Sequence, residues 1–96
     1  MNDLLWLLEL TKNDSEKHEF VNGFTIETCD NPGWVLTVTL SHRLSQKYFC
    51  EIYDLRSEDD WIICSVKGDV FEGAGGSQNL SEIIKNFRNW IEEDIV

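Results

Sequence analysis

The stretch FTIETCDNPGWVLTVTL, residues 24–40, decides the fold. Its period is two: Phe24, Ile26 and Thr28 share one side and Thr25, Glu27 and Cys29 the other, as in a strand with one covered face. Asp30, Asn31, Pro32 and Gly33 interrupt the pattern. Proline presets the φ suited to the second position of a turn and glycine accepts positive φ at the third, so the chain is expected to reverse here. The return is the cleanest alternation in the sequence, with Trp34, Leu36, Val38 and Leu40 on one side and Val35, Thr37 and Thr39 on the other. An antiparallel hairpin with one apolar face follows.

Further along, Ser41 to Ser45 reads as another turn, and 47–54 as a third strand with Tyr48, Cys50 and Ile52 on one face and Phe49, Glu51 and Tyr53 on the other. The acidic turn Ser57, Glu58, Asp59, Asp60 leads to a fourth strand over 61–67. Val70 and Phe71 add a short fifth before Gly73, Ala74, Gly75 and Gly76, which are expected to break regular structure. Links this short favour antiparallel neighbours, a meander.

The strongest helical period lies at the end: Leu80, Ile83, Ile84, Phe87, Trp90 and Ile91 share one face, predicting a helix over 80–93. Asn79 with Glu82 three residues on has the pattern of a capping box. At the other end, Leu4, Leu5, Trp6, Leu7, Leu8 and Leu10 behind Asn2 and Asp3 predict a helix over 3–11, apolar nearly all round and so expected to be covered on more than one face. The polar stretch Thr11 to Glu19 reads as a loop, with Gly23 opening the first strand. The predicted fold is α+β: one domain, 1–96, in which an antiparallel four- to five-stranded meander sheet has an N-terminal and a C-terminal helix packed on it.

Composition narrows the function. The chain has 96 residues, 18 Asp plus Glu against 8 Lys plus Arg, a net charge of −10 and 42% hydrophobic residues, enough for a core. No apolar run approaches the roughly 20 residues of a membrane-spanning helix, and Leu4 to Leu8 lacks the basic flank and cleavage site of an export signal. A soluble, cytoplasmic chain is expected. A pI near 4.4 without a basic patch disfavours direct nucleic-acid binding. Cys29, Cys50 and Cys64 are odd in number and lack CxxC spacing, so they read as buried thiols in a reducing compartment, not as a disulfide framework or a zinc site.

Three constellations carry candidate chemistry. His18 and His42 are candidate bases for a thiol nucleophile, but neither has a motif partner, and a core side chain is the simpler reading of each cysteine. Gly73 to Gly76 ahead of a helix resembles a phosphate-cradling loop yet lacks the Lys and Ser/Thr of a P-loop, so a structural turn explains it. Asp54, Glu58, Asp59 and Asp60 are close enough in sequence for a hard cation but lack the order of a calcium loop, which leaves a solvated turn. What remains is recognition of another protein, for which a one-signed surface speeds encounter with a basic partner. Surplus acidity also serves solubility alone.

Taken together, Asp30, Asn31, Pro32, Gly33 and Trp34; Asp60, Trp61, Ile62, Cys64 and Val66; and Phe71, Gly73, Gly75, Gly76, Asn79, Leu80, Glu82, Ile83, Phe87 and Trp90 resemble the immunity 53 family of bacterial polymorphic toxin systems. Glu19, Gly23, Trp6 and Leu7 fit the same pattern. The chain departs from it at His18 and Phe20, where the family commonly has Trp and His around the acid, at Cys29 for Leu and at Ser77 for Pro. The resemblance implies a cytoplasmic antidote that binds a cognate toxin domain and blocks it, with no catalytic role, cofactor or metal to carry over. Most shared positions have structural explanations, so the expected toxin-binding residues lie elsewhere: the acids Asp54, Glu58, Asp59, Asp60 and Glu72, with Tyr53 as an aromatic anchor. Against a nuclease toxin, such carboxylates would stand in for substrate phosphates. The alternatives are a small acidic enzyme using a thiol with His18 or His42, and an acidic metal-binding scaffold.

Overall fold

The structure is a computed structural model and describes residues 2–12, 21–29 and 32–95. In chain order these form α1 (Asn2–Lys12), β1 (Val21–Cys29), β2 (Gly33–Leu40), α2 (His42–Ser45), β3 (Ile52–Leu55), β4 (Trp61–Lys67), β5 (Val70–Gly76) and α3 (Leu80–Ile95). The loop expected after the first helix, from residue 13 onward and including His18, lies outside the described residues, as do Asp30 and Asn31 of the first turn.

The α+β class is as expected, with one antiparallel five-stranded sheet. Its order, β1-β2-β5-β4-β3, consists of a hairpin and a three-stranded meander joined edge to edge, not of one continuous meander. Trp34 to Thr39 of β2 pair with Val70 to Gly75 of β5, while the connection through α2 carries the chain past them to the far edge. The expected turn over 41–45 is largely α2. Ser41 Oγ accepts from the Leu44 N–H (3.4 Å), an N-cap bond, and Leu44 is buried in the core.

The glycine segment does not break structure: it is the C-terminal half of β5, at the centre of the sheet. Its glycines are there for the absence of a Cβ. A Cβ on Gly73 would lie 2.5 Å from Ile83 Cγ2, and one on Gly76 would run into the Asp59 carbonyl, so bare backbone lets α3 and the β3–β4 turn sit directly on β5. Positive φ occurs elsewhere, at Gly68 (62°), first of the two residues joining β4 to β5, where a type II′ hairpin calls for it. Gly33, expected at the crown of the first turn, instead opens β2 opposite Cys29.

The helices α1 and α3 lie on one face of the sheet. Leu36, Val38 and Leu40 of β2, Ile62 and Cys64 of β4 and Phe71 of β5 are buried there against Leu7 of α1 and Ile83, Ile84, Phe87, Trp90 and Ile91 of α3. Phe87 is central, with ring centroids 4.8 Å from Phe71, 6.0 Å from Trp90 and 6.2 Å from Trp6. Each such pair adds about 0.5–1.5 kcal/mol to the burial of its area. The covering of α1 is narrower than expected, since Leu5 is 58% and Leu8 44% exposed.

The third strand begins later than expected because an aromatic ring overrides the alternation. Phe49 packs edge-on against Phe71 (5.5 Å) and Trp90 (5.3 Å), and the Trp90 Nε1–H donates to the Tyr48 carbonyl (2.9 Å). Residues 48–51 are thereby drawn out of the ladder, leaving Tyr48 and Cys50 exposed. The expectation of three buried thiols therefore holds for Cys64 alone, Cys29 being half-buried.

Candidate functional site: the open face of the sheet

Side chains alternate across a strand, so every residue between the core positions stands on the opposite face. No described helix packs there. The register sets Glu27 beside Val35, Val35 beside Ala74, Ala74 beside Ile63 and Ile63 beside Tyr53, one row across all five strands. Trp61 and Leu55 pair in the neighbouring row. None of these apolar residues joins the core cluster, and Tyr53 (73%) and Leu55 (58%) are among the most exposed large side chains. Toward the other end the face turns polar, with Thr25, Thr37, Glu72 and Ser65 side by side.

At the β3–β4 end this face holds an open hollow of ≈ 650 Å³ lined by Tyr53, Leu55, Arg56, Ser57, Glu58, Trp61 and Ile63. Two aromatic and two aliphatic residues line it together with the acid Glu58. The connecting turn is held by backbone bonds from Arg56 N–H (3.0 Å) and Ser57 N–H (2.9 Å) to the Asp60 carbonyl.

Arg56 is the hub beneath this turn. Its guanidinium meets Glu82 at 2.8 Å, Asp60 at 3.0 Å and Asp54 at 3.7 Å. The hydrogen bond to Glu82 raises the Arg56 pKa, and the same bond holds the Glu82 carboxyl below the ordinary carboxylate range. Asn79 completes the network: its amide nitrogen donates to Asp60 (3.0 Å) and Glu82 (2.9 Å), and its oxygen accepts from the Trp61 N–H (3.4 Å). Where a capping box is expected, the Asn79 N–H instead donates to the Gly76 carbonyl (3.0 Å) and the Asn79 side chain turns to Trp61, Asp60 and Glu82, so the pair ties the start of α3 to the turn that shapes the hollow.

The expected binding residues divide accordingly. Tyr53 and Glu58 line the hollow, and Glu72 shares its face two residues along β5 from Ala74. Asp59 is exposed in the turn. Asp54 and Asp60 face Arg56, which engages their charge within the fold. Sequence reasoning passed over Arg56, Trp61, Leu55 and Ile63 as site residues. Arg56 had a signal, being the only base between Lys47 and Lys67; the others read as strand apolars whose face only the register reveals.

The other candidate chemistry is not assembled among the described residues. Cys64 is buried, and burial pushes its thiol up to about 12, far from the thiolate a nucleophile needs. A second hollow of ≈ 360 Å³ sets the exposed Cys50 beside Asn86, Asn89, Trp90 and Glu93, with no histidine in its lining. His42 is exposed on α2. Among the described residues no group of three or more His, Cys, Asp or Glu is placed to hold a metal ion, and no helix is long and apolar enough to cross a membrane.

Among the described residues, helices back one face of the sheet, and the other presents an aromatic cluster with Glu58 beside it and Glu72 further along the same face. The chain matches the family described as Immunity protein 53 over residues 4–92, and it belongs to that family. No curated protein and no solved structure matches it.

Proposed function

We propose that this chain neutralises a cognate toxin domain in the cytoplasm by binding it stoichiometrically, without chemical turnover, through the open face of its sheet. Family membership supplies the class of activity. The observation that carries the choice of surface is the cluster Tyr53, Leu55, Trp61 and Ile63, apolar and outside the core, on a face that no described element covers. Aromatic side chains ringed by polar groups have the composition of an interface centre. Glu58 lines that centre, Glu72 lies further along the same face and Asp59 is exposed in the adjoining turn, and a net charge of −10 favours a basic partner surface. The phosphate-binding cleft of a nuclease is such a surface. A free thiol at the exposed Cys50 suits a reducing compartment.

Coexpression with the toxin domain encoded beside this gene tests the reading. Cells should survive and the two proteins should copurify in equal amounts; a toxin that kills regardless and runs separately on gel filtration removes it.

A further inference from the structure

The hollow at the β3–β4 end has a chemistry more specific than "apolar and acidic". Tyr53 and Trp61 offer π faces, Leu55 and Ile63 offer aliphatic walls, and Glu58 offers a carboxylate for which no ion pair is found among the described residues. The base in the lining, Arg56, is engaged by Asp54, Asp60 and Glu82. Three carboxylates contact this one guanidinium and Glu58 and Asp59 lie in the adjoining turn, so the charge around the hollow is net negative despite Arg56. Apolar walls, ring faces and an acid at the mouth complement a long apolar stem ending in a planar cation.

Resting on the proposed antidote function, we infer that this hollow receives an arginine side chain of the toxin, its stem along Leu55 and Ile63, its guanidinium against the ring of Trp61 or Tyr53 and bonded to Glu58. Arginine fits better than lysine because its flat, weakly hydrated head both stacks on aromatic rings and bonds a carboxylate in fork geometry. A second copy of this chain is a poor occupant. Its net charge of −10 would meet the same acids, and two of its three arginines, Arg56 and Arg88, are already bound to carboxylates.

The test uses two ligands. A short neutral-flanked peptide with one arginine, and the same peptide with uncharged citrulline in its place, are titrated at millimolar concentration into the full chain while the Trp61 indole N–H and Ile63 methyl resonances are followed. The arginine peptide should shift both, the citrulline peptide neither, and Glu58→Gln should abolish the response without changing the melting temperature. With the toxin domain, Glu58→Gln should weaken binding about tenfold and flatten its salt dependence. Trp61→Phe, which keeps a ring in the half-buried site, should weaken it less than Trp61→Ala.

If the toxin is neutralised and bound but the arginine peptide moves neither resonance and Glu58→Gln binds like the parent, the arginine inference is overturned and the antidote reading stands. If the peptide shifts both resonances while the toxin is neither bound nor neutralised, the antidote reading falls and the assignment of the arginine to a toxin falls with it. A concentration-dependent dimer that shields Trp61 would overturn the inference by supplying another occupant.

Discussion

Neighbouring residues of one strand show how differently the two faces of the sheet use apolar side chains. On β4, Ile62 and Cys64 lie under α3 and are sealed from solvent, whereas Trp61 and Ile63 stand on the open face and remain half-exposed. Composition alone would not separate these pairs. The helical face is closed by contacts the fold cannot lose, among them the Phe87 cluster and the approach of Ile83 to Gly73. No described element closes the open face, and on the proposed reading its apolar area meets a partner. Substitutions on one face should therefore register in stability and on the other in binding.

The largest effect belongs to the covered face. Phe87 is fully buried and touches three aromatic rings, so Phe87→Ala is expected to cost about 3–5 kcal/mol. For a chain of this size, thermal unfolding should then fall by more than about 10 °C. A variant that melts like the parent would mean that the helical face is not where the stability resides.

Next comes the backbone contact. Gly73→Ala places a methyl against Ile83 Cγ2 and should destabilise by about 1–3 kcal/mol through overpacking. Ile83→Ala alone leaves a cavity, at about 2–5 kcal/mol. Combined, the two changes relieve each other, so the double variant should unfold at a urea concentration higher than the sum of the separate losses predicts. Strict additivity would show that the glycine does not serve the seating of α3.

The contrast between the faces was only partly legible in the sequence. The period-two run through Leu40 and the helical stripe from Leu80 to Ile91 are local patterns, and both elements formed where those patterns placed them, α3 running on to Ile95. The insertion of β5 between β2 and β4 was not legible, because pairing partners far apart in sequence leave no local periodicity. The glycines of β5 look like a loop for a related reason: what requires them is Ile83 on another element. Phe49 misled for the opposite reason, its local alternation being correct for a strand but overridden by a stronger tertiary aromatic contact. Of the site, Tyr53 and the acids could be named from residue type. Which acids face the hollow and which face Arg56 depends on Glu82, 26 residues from Arg56, and no local reading contains it.

A smaller effect lies between the two faces, at the network joining the turn to α3. Because Arg56 depresses the Glu82 pKa in the folded state, the pair stabilises the protein above the ordinary carboxylate range. That contribution is lost as pH falls from about 4, where an unperturbed Glu titrates, through the lower folded value. Both groups are more than a third exposed, so solvent screening leaves Glu82 no more than about 0.2–1 kcal/mol. Urea unfolding of Glu82→Gln should show a lower midpoint than the parent at neutral pH, with the gap closing in acid. A gap that widens in acid would contradict the assigned direction of the shift.

The smallest effect on stability carries the most weight for function. Tyr53 is 73% exposed on edge strand β3 and belongs to no core contact, so Tyr53→Ser should change unfolding by less than about 0.5 kcal/mol. If the open face is the binding face, the same substitution removes an aromatic anchor from the interface centre and should weaken toxin binding by about 2 kcal/mol, some thirtyfold, by titration calorimetry. Leu5→Ser on α1 is the matched control, since its side chain is similarly exposed but lies on the opposite side of the sheet. The two faces divide stability from recognition only if Tyr53→Ser binds poorly while Leu5→Ser binds normally and both melt like the parent. The reverse pattern would move the interface to the helical side, where the exposed Leu5 and Leu8 would become its anchors.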